Sequence, residues 1–247
     1  MTDPMYRTIL LFDIEQFGSR DDVEQAFLRR LLYEVVDATL LAAGIDESAR
    51  LRADRGDAVM ELIDVQASVP ALVKTLLTEA PALLHSKNRL IASSARMRLR
   101  MVLSAGYVAV DELDGWVGSD LNHAVRLLNS DPLRDALKQR DDHSVLCVSD
   151  GIYTGVVRHG PLGVRPDEFR RVTVETKEGP TVAWVHGVSD ADASRAATED
   201  SAPVADPALS GPAATTHVHG DQYGVSGGTV HGGQRFDFTR RERDERR

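Results

Sequence analysis

One cysteine, Cys147, is all that the 247 residues contain, which excludes an internal disulfide and a cysteine-based zinc cluster. In "VLCVS" it reads as a small core residue. A basic excess is missing too. The 29 Lys and Arg stand against 38 Asp and Glu, a formal charge of −9. That balance argues against a general nucleic-acid binder and leaves room for a local basic pocket. No apolar run approaches the ~20 residues of a spanning helix, and the opening "MTDPMYR" lacks the basic and apolar regions of a secretory signal. The expectation is a cytoplasmic protein with no membrane attachment.

What is present suits a folded core: 42% of the residues are hydrophobic, and the length allows one sizeable domain with a tail. From Met5 to about Gly187 strand-like and helix-like segments alternate, which makes this part α/β. Strands are expected at Tyr6–Phe12, near Leu51, and at Ala58–Ile63, Met97–Val110, Val145–Val148, Arg171–Thr176 and Val182–His186. Helices are expected at Asp21–Ala43, Val69–Leu84, Ser119–Gln139 and Ser149–Arg158. Ala105-Gly106, inside the long run "MRLRMVLSAGYVAV", predicts a hairpin or sharp bend and hence mixed strand pairing. The apolar stripes of the first two helices need a sheet face to cover.

After Gly187 the chain turns rich in Ala, Ser, Asp and Pro, a composition that buries too little apolar surface to offset ordering entropy. The organisation expected is a folded domain over residues 1–187, a disordered linker over 188–215, and a Gly-rich, β-prone tail over 216–247 with a charged end.

Two acids stand at strand ends. Asp13 closes the apolar run "TILLFDIEQF", where an uncompensated buried charge costs several kcal/mol. Asp57 follows the turn in "RADRGDAVMEL". Two such carboxylates form a magnesium-type site if they converge, because Mg²⁺ prefers hard oxygen ligands. Equally, each serves as an ordinary turn or cap residue.

In "WVGSDLNHAVRLLNS", Asn122 and Arg126 stand four apart and share one helical face. Arg suits a phosphate and Asn a ribose, although such a pair is also common on a solvated face. Lys177, at the tip of a hairpin in "RVTVETKEGPTVAWVHG", reaches a phosphate or simply faces solvent.

In order, "LLFDIEQF", "RGDAVMEL", "LSAGYVAV", "WVGSDLNHAVRLL" and "VTVETKEGPTVAW" resemble the class III nucleotidyl cyclase domain over most of Met5 to Gly187. The resemblance implies a ferredoxin-like α+β core, a central mixed sheet with packed helices, and a head-to-tail homodimer with active sites shared at the interface. It also implies two divalent cations, Mg²⁺ or Mn²⁺, held by Asp13, Asp57 and the Ile14 carbonyl. Asn122 and Arg126 take the role of transition-state residues, and Lys177 that of a phosphate-binding lysine. The implied reaction closes a nucleoside triphosphate to a 3′,5′-cyclic nucleotide and pyrophosphate.

The adenine-reading positions depart from this pattern, because Ala53 replaces a lysine and Gly115 an acid. Arg52, Asp54, Arg55, Asp114 or Trp116 are candidates to replace those substrate contacts. The departure is similar to the standalone pyrimidine cyclases of bacterial antiphage signalling, which implies cyclic UMP or cyclic CMP as product. A cyclase fold kept only for dimerisation or ligand sensing is the competing reading.

The stretch "HVHGDQYGVSGGTVHGGQRFDF", His217 to Phe238, resembles glycine-spaced amyloid-like signalling motifs, which implies homotypic recruitment of a partner protein. A disordered solubilising tail is the other reading. The histidines His217, His219 and His231 have no acid cluster beside them and read as incidental.

Overall fold

The computed structural model describes residues 3–187 apart from Asp114 and Glu178. The expected linker over 188–215, the tail over 216–247 and Glu178 in the turn of the last hairpin therefore lie outside the described residues.

Strand β1, Met5–Ile14, is buried almost continuously from Thr8 onward. Such a run belongs to a strand covered on both faces, because successive side chains point to opposite sides. Leu10, Phe12 and Ile14 pack with helices α1, Asp22–Ala42, and α2, Val69–Asn88. Ile9 and Leu11 pack on the other face with α3, Ser119–Leu128, and α4, Asp131–Lys138. Each fully buried Leu, Ile or Phe contributes about 1.5–3 kcal/mol, so β1 is the centre of the core.

Helix α1 starts where Asp21 accepts a hydrogen bond from Glu24 N at 2.8 Å, and Asp22 and Glu24 suit the positive end of the helix dipole. Leu28, Leu32, Val35, Val36 and Leu40 form its buried stripe. Helix α2 runs one turn beyond the expected Leu84. Its last residue, Asn88, is buried and fully used, donating to Met97 O at 2.8 Å and accepting from Met97 N at 3.0 Å.

The remaining elements are β2, Arg50–Asp54; β3, Ala58–Ile63; β4, Leu99–Val110; β5, Trp116–Val117; β6, Ser144–Ser149; a short helix α5, Asp150–Gly155; β7, Phe169–Val174; and β8, Thr181–His186. The sheet order is β2-β3-β1-β4-β6-β8-β7, with β5 paired to β4. Only β4 and β6 pair in parallel. The first six elements, β1-α1-β2-β3-α2-β4, with β1 between β3 and β4, form the β-α-β-β-α-β ferredoxin-like unit.

Two expectations are corrected. Ala105-Gly106 makes no hairpin: β4 is one 12-residue strand, paired to β1 from Leu99 to Val108. Gly106 is there for close approach, since a Cβ on it would stand 2.2 Å from the Asp120 side chain of α3. The helix expected over Ser119–Gln139 is two helices, α3 and α4. Ser130 turns its hydroxyl back to Leu127 O at 2.7 Å, and Pro132, which lacks an N–H, fits the first turn of a new helix but not the interior of an old one.

Candidate active site

At one end of the sheet the turn between β2 and β3 lies beside the end of β1. Ile14 N donates to Asp57 O at 3.0 Å, and Ala58 is the register partner of Asp13. The two acids thus spring from neighbouring backbone. The turn is held from both sides: Gly56 N donates to Asp54 Oδ1 at 2.7 Å, Arg55 N donates to Ala58 O at 2.9 Å, and Tyr33 of α1 donates its hydroxyl to Asp54 Oδ2 at 2.8 Å.

Asp13 is 7% exposed, so its charge needs a partner. Arg100, its register partner on β4, supplies one, donating from Nε to Asp13 Oδ2 at 2.9 Å and from Nη2 to the same oxygen. Burial nevertheless pushes the Asp13 carboxyl above its ordinary value. Arg100 and, more weakly, Arg134 oppose that rise, while the nearby Asp57 charge adds to it.

Two adjacent carboxylates and the Ile14 carbonyl make a hard-oxygen set that fits Mg²⁺ or Mn²⁺, which takes its other ligands from water and phosphates. No group of three or more His, Cys, Asp or Glu side chains gathers as a metal cluster among the described residues. Sequence reasoning missed Arg100, because the alternation "MRLRM" sets it apart from the apolar Met and Leu face but only the β1–β4 register sets it opposite Asp13.

The first turn of α3 lies toward the other end of the sheet. Leu121, Ala124, Leu127 and Leu128 bury α3 against the sheet, which leaves Asn122 exposed and Arg126 partly buried. The first turn of α3 is pinned by Asp120, whose Oδ2 accepts from Tyr107 N at 2.7 Å. A cleft of about 400 Å³ opens there, lined by Ser104, Asp120 and His123 on one side and by Asp150, Pro180 and Thr181 on the other. Lys177 is exposed in the turn that joins β7 to β8, where Gly179 N donates to Thr176 O at 3.0 Å. Trp184 of β8 fixes this hairpin to α5, donating from Nε1 to Asp150 Oδ1 at 2.9 Å and stacking on Tyr153 with ring centroids 3.5 Å apart.

The distance of this turn from the two acids follows from register. Asp120 is bonded to Tyr107, whose partner on β1 is Tyr6. Asp13 lies seven residues further along β1, about 23 Å at ~3.3 Å per residue. Asn122, in the first turn of α3, is therefore at the opposite end of the same sheet face from Asp13 and Asp57.

The expected substrate contacts divide likewise. Ala53 is partly buried against the apolar layer of Ile9 and Leu11, and Arg55 is exposed in the Asp57 turn. Gly115 and Trp116 lie at the far end, with Trp116 opposite Val110. Gly115 closes a tight turn, its N–H donating to Asp111 Oδ1 at 2.7 Å, and a Cβ there would stand 2.5 Å from Asp111 Oδ2. The Asp111 carboxylate thus occupies the space that a side chain at that position would enter. Asp114 lies outside the described residues.

No protein-family model and no curated protein sequence matches the chain. Solved structures do. The guanylyl cyclase Cya2 is similar with a TM-score of 0.52 at 16% identity, covering 76% of this chain and 95% of that one. An adenylate/guanylate cyclase/hydrolase from Silicibacter pomeroyi gives 0.53 at 18%, covering 76% and 99%. A bacterial light-regulated adenylyl cyclase gives 0.53 at 14%, covering 80% and 99%. At such identities the likeness is one of fold: the chain has the architecture of adenylyl and guanylyl cyclase domains.

Proposed function

We propose that the protein is a nucleotidyl cyclase that converts a nucleoside triphosphate to a 3′,5′-cyclic nucleotide and pyrophosphate, working as a homodimer with two shared active sites. The observation that carries this reading is the division of the site. Paired acids stand at one end of a sheet face and Asn122, in the first turn of α3, toward the other, about 23 Å along β1 by the strand rise. No single substrate joins those ends within one chain, whereas two copies related head to tail bring unlike ends together.

Asp13, Asp57 and the Ile14 carbonyl would hold two divalent cations, which when bound lower the pKa of the ribose 3′-hydroxyl and offset phosphate charge. Asn122 of the other chain orients the ribose, so that its 3′-oxygen attacks the α-phosphorus in line. The bond from the 3′-oxygen to phosphorus forms, the bond to the β-phosphate bridging oxygen breaks, and the hydroxyl proton passes to solvent. Arg126 stabilises charge that develops on the α-phosphate, and Lys177 holds the terminal phosphates. Arg100, drawn off Asp13 as cations load, turns its forked donors to the same phosphates.

The absence of a side chain at Gly115 and the short one at Ala53 support a base other than adenine. A pyrimidine, giving cyclic UMP or cyclic CMP in cytoplasmic antiphage signalling, is the reading that the sequence resemblance favours. The 217–238 motif then recruits a partner protein. A non-catalytic sensing or dimerisation module is the second reading, favoured by the occupation of Asp13 by Arg100.

Incubation with ATP, GTP, CTP and UTP separately, in Mg²⁺ and in Mn²⁺, separates the two readings. A cyclic product that disappears in Asp57→Ala is expected; no product from any triphosphate in either metal would favour the sensing module.

A further inference from the structure

Helix α1 carries a polar stripe beside its buried apolar one. Arg29, Tyr33 and Asp37 follow at intervals of four residues, which places all three on one flank of the helix. That flank meets the edge strand β2 at the alternate residues Arg50, Arg52 and Asp54. Asp37 Oδ1 accepts from both Arg50 and Arg52, the Arg52 guanidinium lies 4.8 Å from the centre of the Tyr33 ring, and Tyr33 and Arg29 both reach Asp54 Oδ2. The spacings match. Four helical residues advance about 6 Å and two strand residues about 6.6 Å, so the two series of side chains stay in step.

The last pair in the series stands at the Asp57 turn. Asp54 divides its carboxylate between helix and turn: Oδ2 takes the Tyr33 hydroxyl at 2.8 Å and the Arg29 guanidinium, while Oδ1 takes Gly56 N at 2.7 Å. Gly56 has φ 85°, a conformation that the lack of a Cβ permits but does not fix. The bond to Asp54 restrains it, one residue before Asp57. Of the two α1 groups, the Arg29 side chain is 50% exposed, and an exposed ion pair holds a long side chain weakly. Tyr33 packs against the core with Arg52 over its ring, so its hydroxyl is the firmer anchor.

We propose that Tyr33 is a positioning residue for Asp57: its hydroxyl, acting through Asp54 and Gly56, sets the β2–β3 turn so that the Asp57 carboxylate is placed for a divalent cation beside Asp13. Helix α1 covers the Phe12 and Ile14 face of β1, opposite to the Asp13 side chain, so Tyr33 acts on the turn from behind and is not itself a ligand. The gain is preorganisation, because a turn already ordered does not have to be ordered when the cation binds. The proposal rests on the reading of Asp13 and Asp57 as cation ligands; the hold of Tyr33 on the turn does not.

The test is calorimetric titration of the full chain with Mn²⁺, together with hydrogen exchange of the residue 55–57 amides in metal-free buffer. Tyr33→Phe keeps the ring and its packing and removes one oxygen. It is expected to weaken Asp57-dependent Mn²⁺ binding about tenfold, the lower end of the range for losing a group that orients a metal ligand. Exchange at Gly56 is expected to quicken with little change in Tm. Asp54→Ala is expected to weaken binding at least as much, and Tyr33→Phe to add nothing in that background, since the hydroxyl acts through that carboxylate. Asp37→Asn, at the other end of the same flank, loosens α1 from β2 without touching the turn. It is expected to lower Tm and to bind Mn²⁺ as wild type, which separates positioning from a general loss of stability.

Wild-type Mn²⁺ affinity in Tyr33→Phe, or an equal fall in Asp37→Asn, overturns the proposal and leaves Asp57 standing as a ligand. A further loss when Tyr33→Phe is added to Asp54→Ala overturns the route through Asp54. Wild-type protein that binds Mn²⁺ no better than Asp57→Ala overturns the cation reading itself, and the role of Tyr33 with it.

Discussion

On the proposed reading, Arg100 and a divalent cation compete for one carboxylate. Both of its hydrogen bonds go to Asp13 Oδ2, and the pair is largely shielded from solvent. Breaking a buried pair from one side costs about 3–5 kcal/mol, so Arg100→Met is expected to lower Tm in metal-free buffer. In that variant Mg²⁺ no longer has an arginine to displace. Its apparent affinity, read from the rise of Tm with Mg²⁺, is expected to increase several-fold over wild type; an unchanged affinity would show that Arg100 and the cation do not share Asp13. The anomaly of a charged residue at the end of an apolar strand was legible in the sequence, and so was the partner turn at Asp57. Arg100 was not, because 87 residues separate it from Asp13 and only the β1–β4 register brings them together.

The β2–β3 pair, which carries the Asp57 turn, is fastened to α1 by a buried charge cluster. Glu61 Oε1 accepts from Arg50 at 2.8 Å and from Arg52 at 2.6 Å, and both arginines also reach Asp37 of α1. The other oxygen, Oε2, is buried without a hydrogen-bond partner. Burial pushes the Glu61 carboxyl above its ordinary value against the pull of Arg52 and Arg50. The folded chain therefore holds this proton more readily than the unfolded chain. Stability from the group is complete below the ordinary glutamate range and declines as pH rises through the raised folded value. Glu61→Gln, which keeps the shape and cannot ionise, is expected to gain Tm relative to wild type as pH rises from about 4 to about 7, upward from the ordinary glutamate value of ~4.3. A constant difference across that range would contradict the assigned shift.

Helix α3 depends on a missing side chain instead. Gly106→Ala sets a Cβ 2.2 Å from Asp120, so α3 must shift off β4. The expected cost is about 1–3 kcal/mol, and displacement of Asn122 and Arg126 is expected to reduce turnover by more than the stability loss explains. Denaturant unfolding and kcat measured together check both. Gly106 also shows why the hairpin expectation failed. A glycine within a strand marks either a bend or a close neighbour, and the neighbour, Asp120, is visible only once α3 is folded onto the sheet. The break between α3 and α4 was legible in principle: Ser130-Asp131-Pro132 is a helix-start signal set inside an apolar pattern continuous enough to hide it. Most other elements followed from periodicity, and the edge piece β5 was too short, at two residues, to carry a pattern.

At the scale of the whole molecule, the proposed reading divides the site between the two ends of one sheet face, with Asp13 and Asp57 at one and the first turn of α3 toward the other. The five candidates Asp13, Asp57, Asn122, Arg126 and Lys177 were proposed from residue type and local spacing alone. The separation of Asn122 from the two acids was not legible, because it depends on which way α3 is laid across β4. The central claim, that two chains complete each site, is tested most directly by mixing two inactive variants, Asp57→Ala and Arg126→Ala. Random pairing makes half the dimers mixed, and each mixed dimer has one intact site of two, so cyclase activity is expected to return to about a quarter of wild type. Neither variant alone should be active. No recovery in the mixture, with mixed dimers verified by mass, would contradict the shared site.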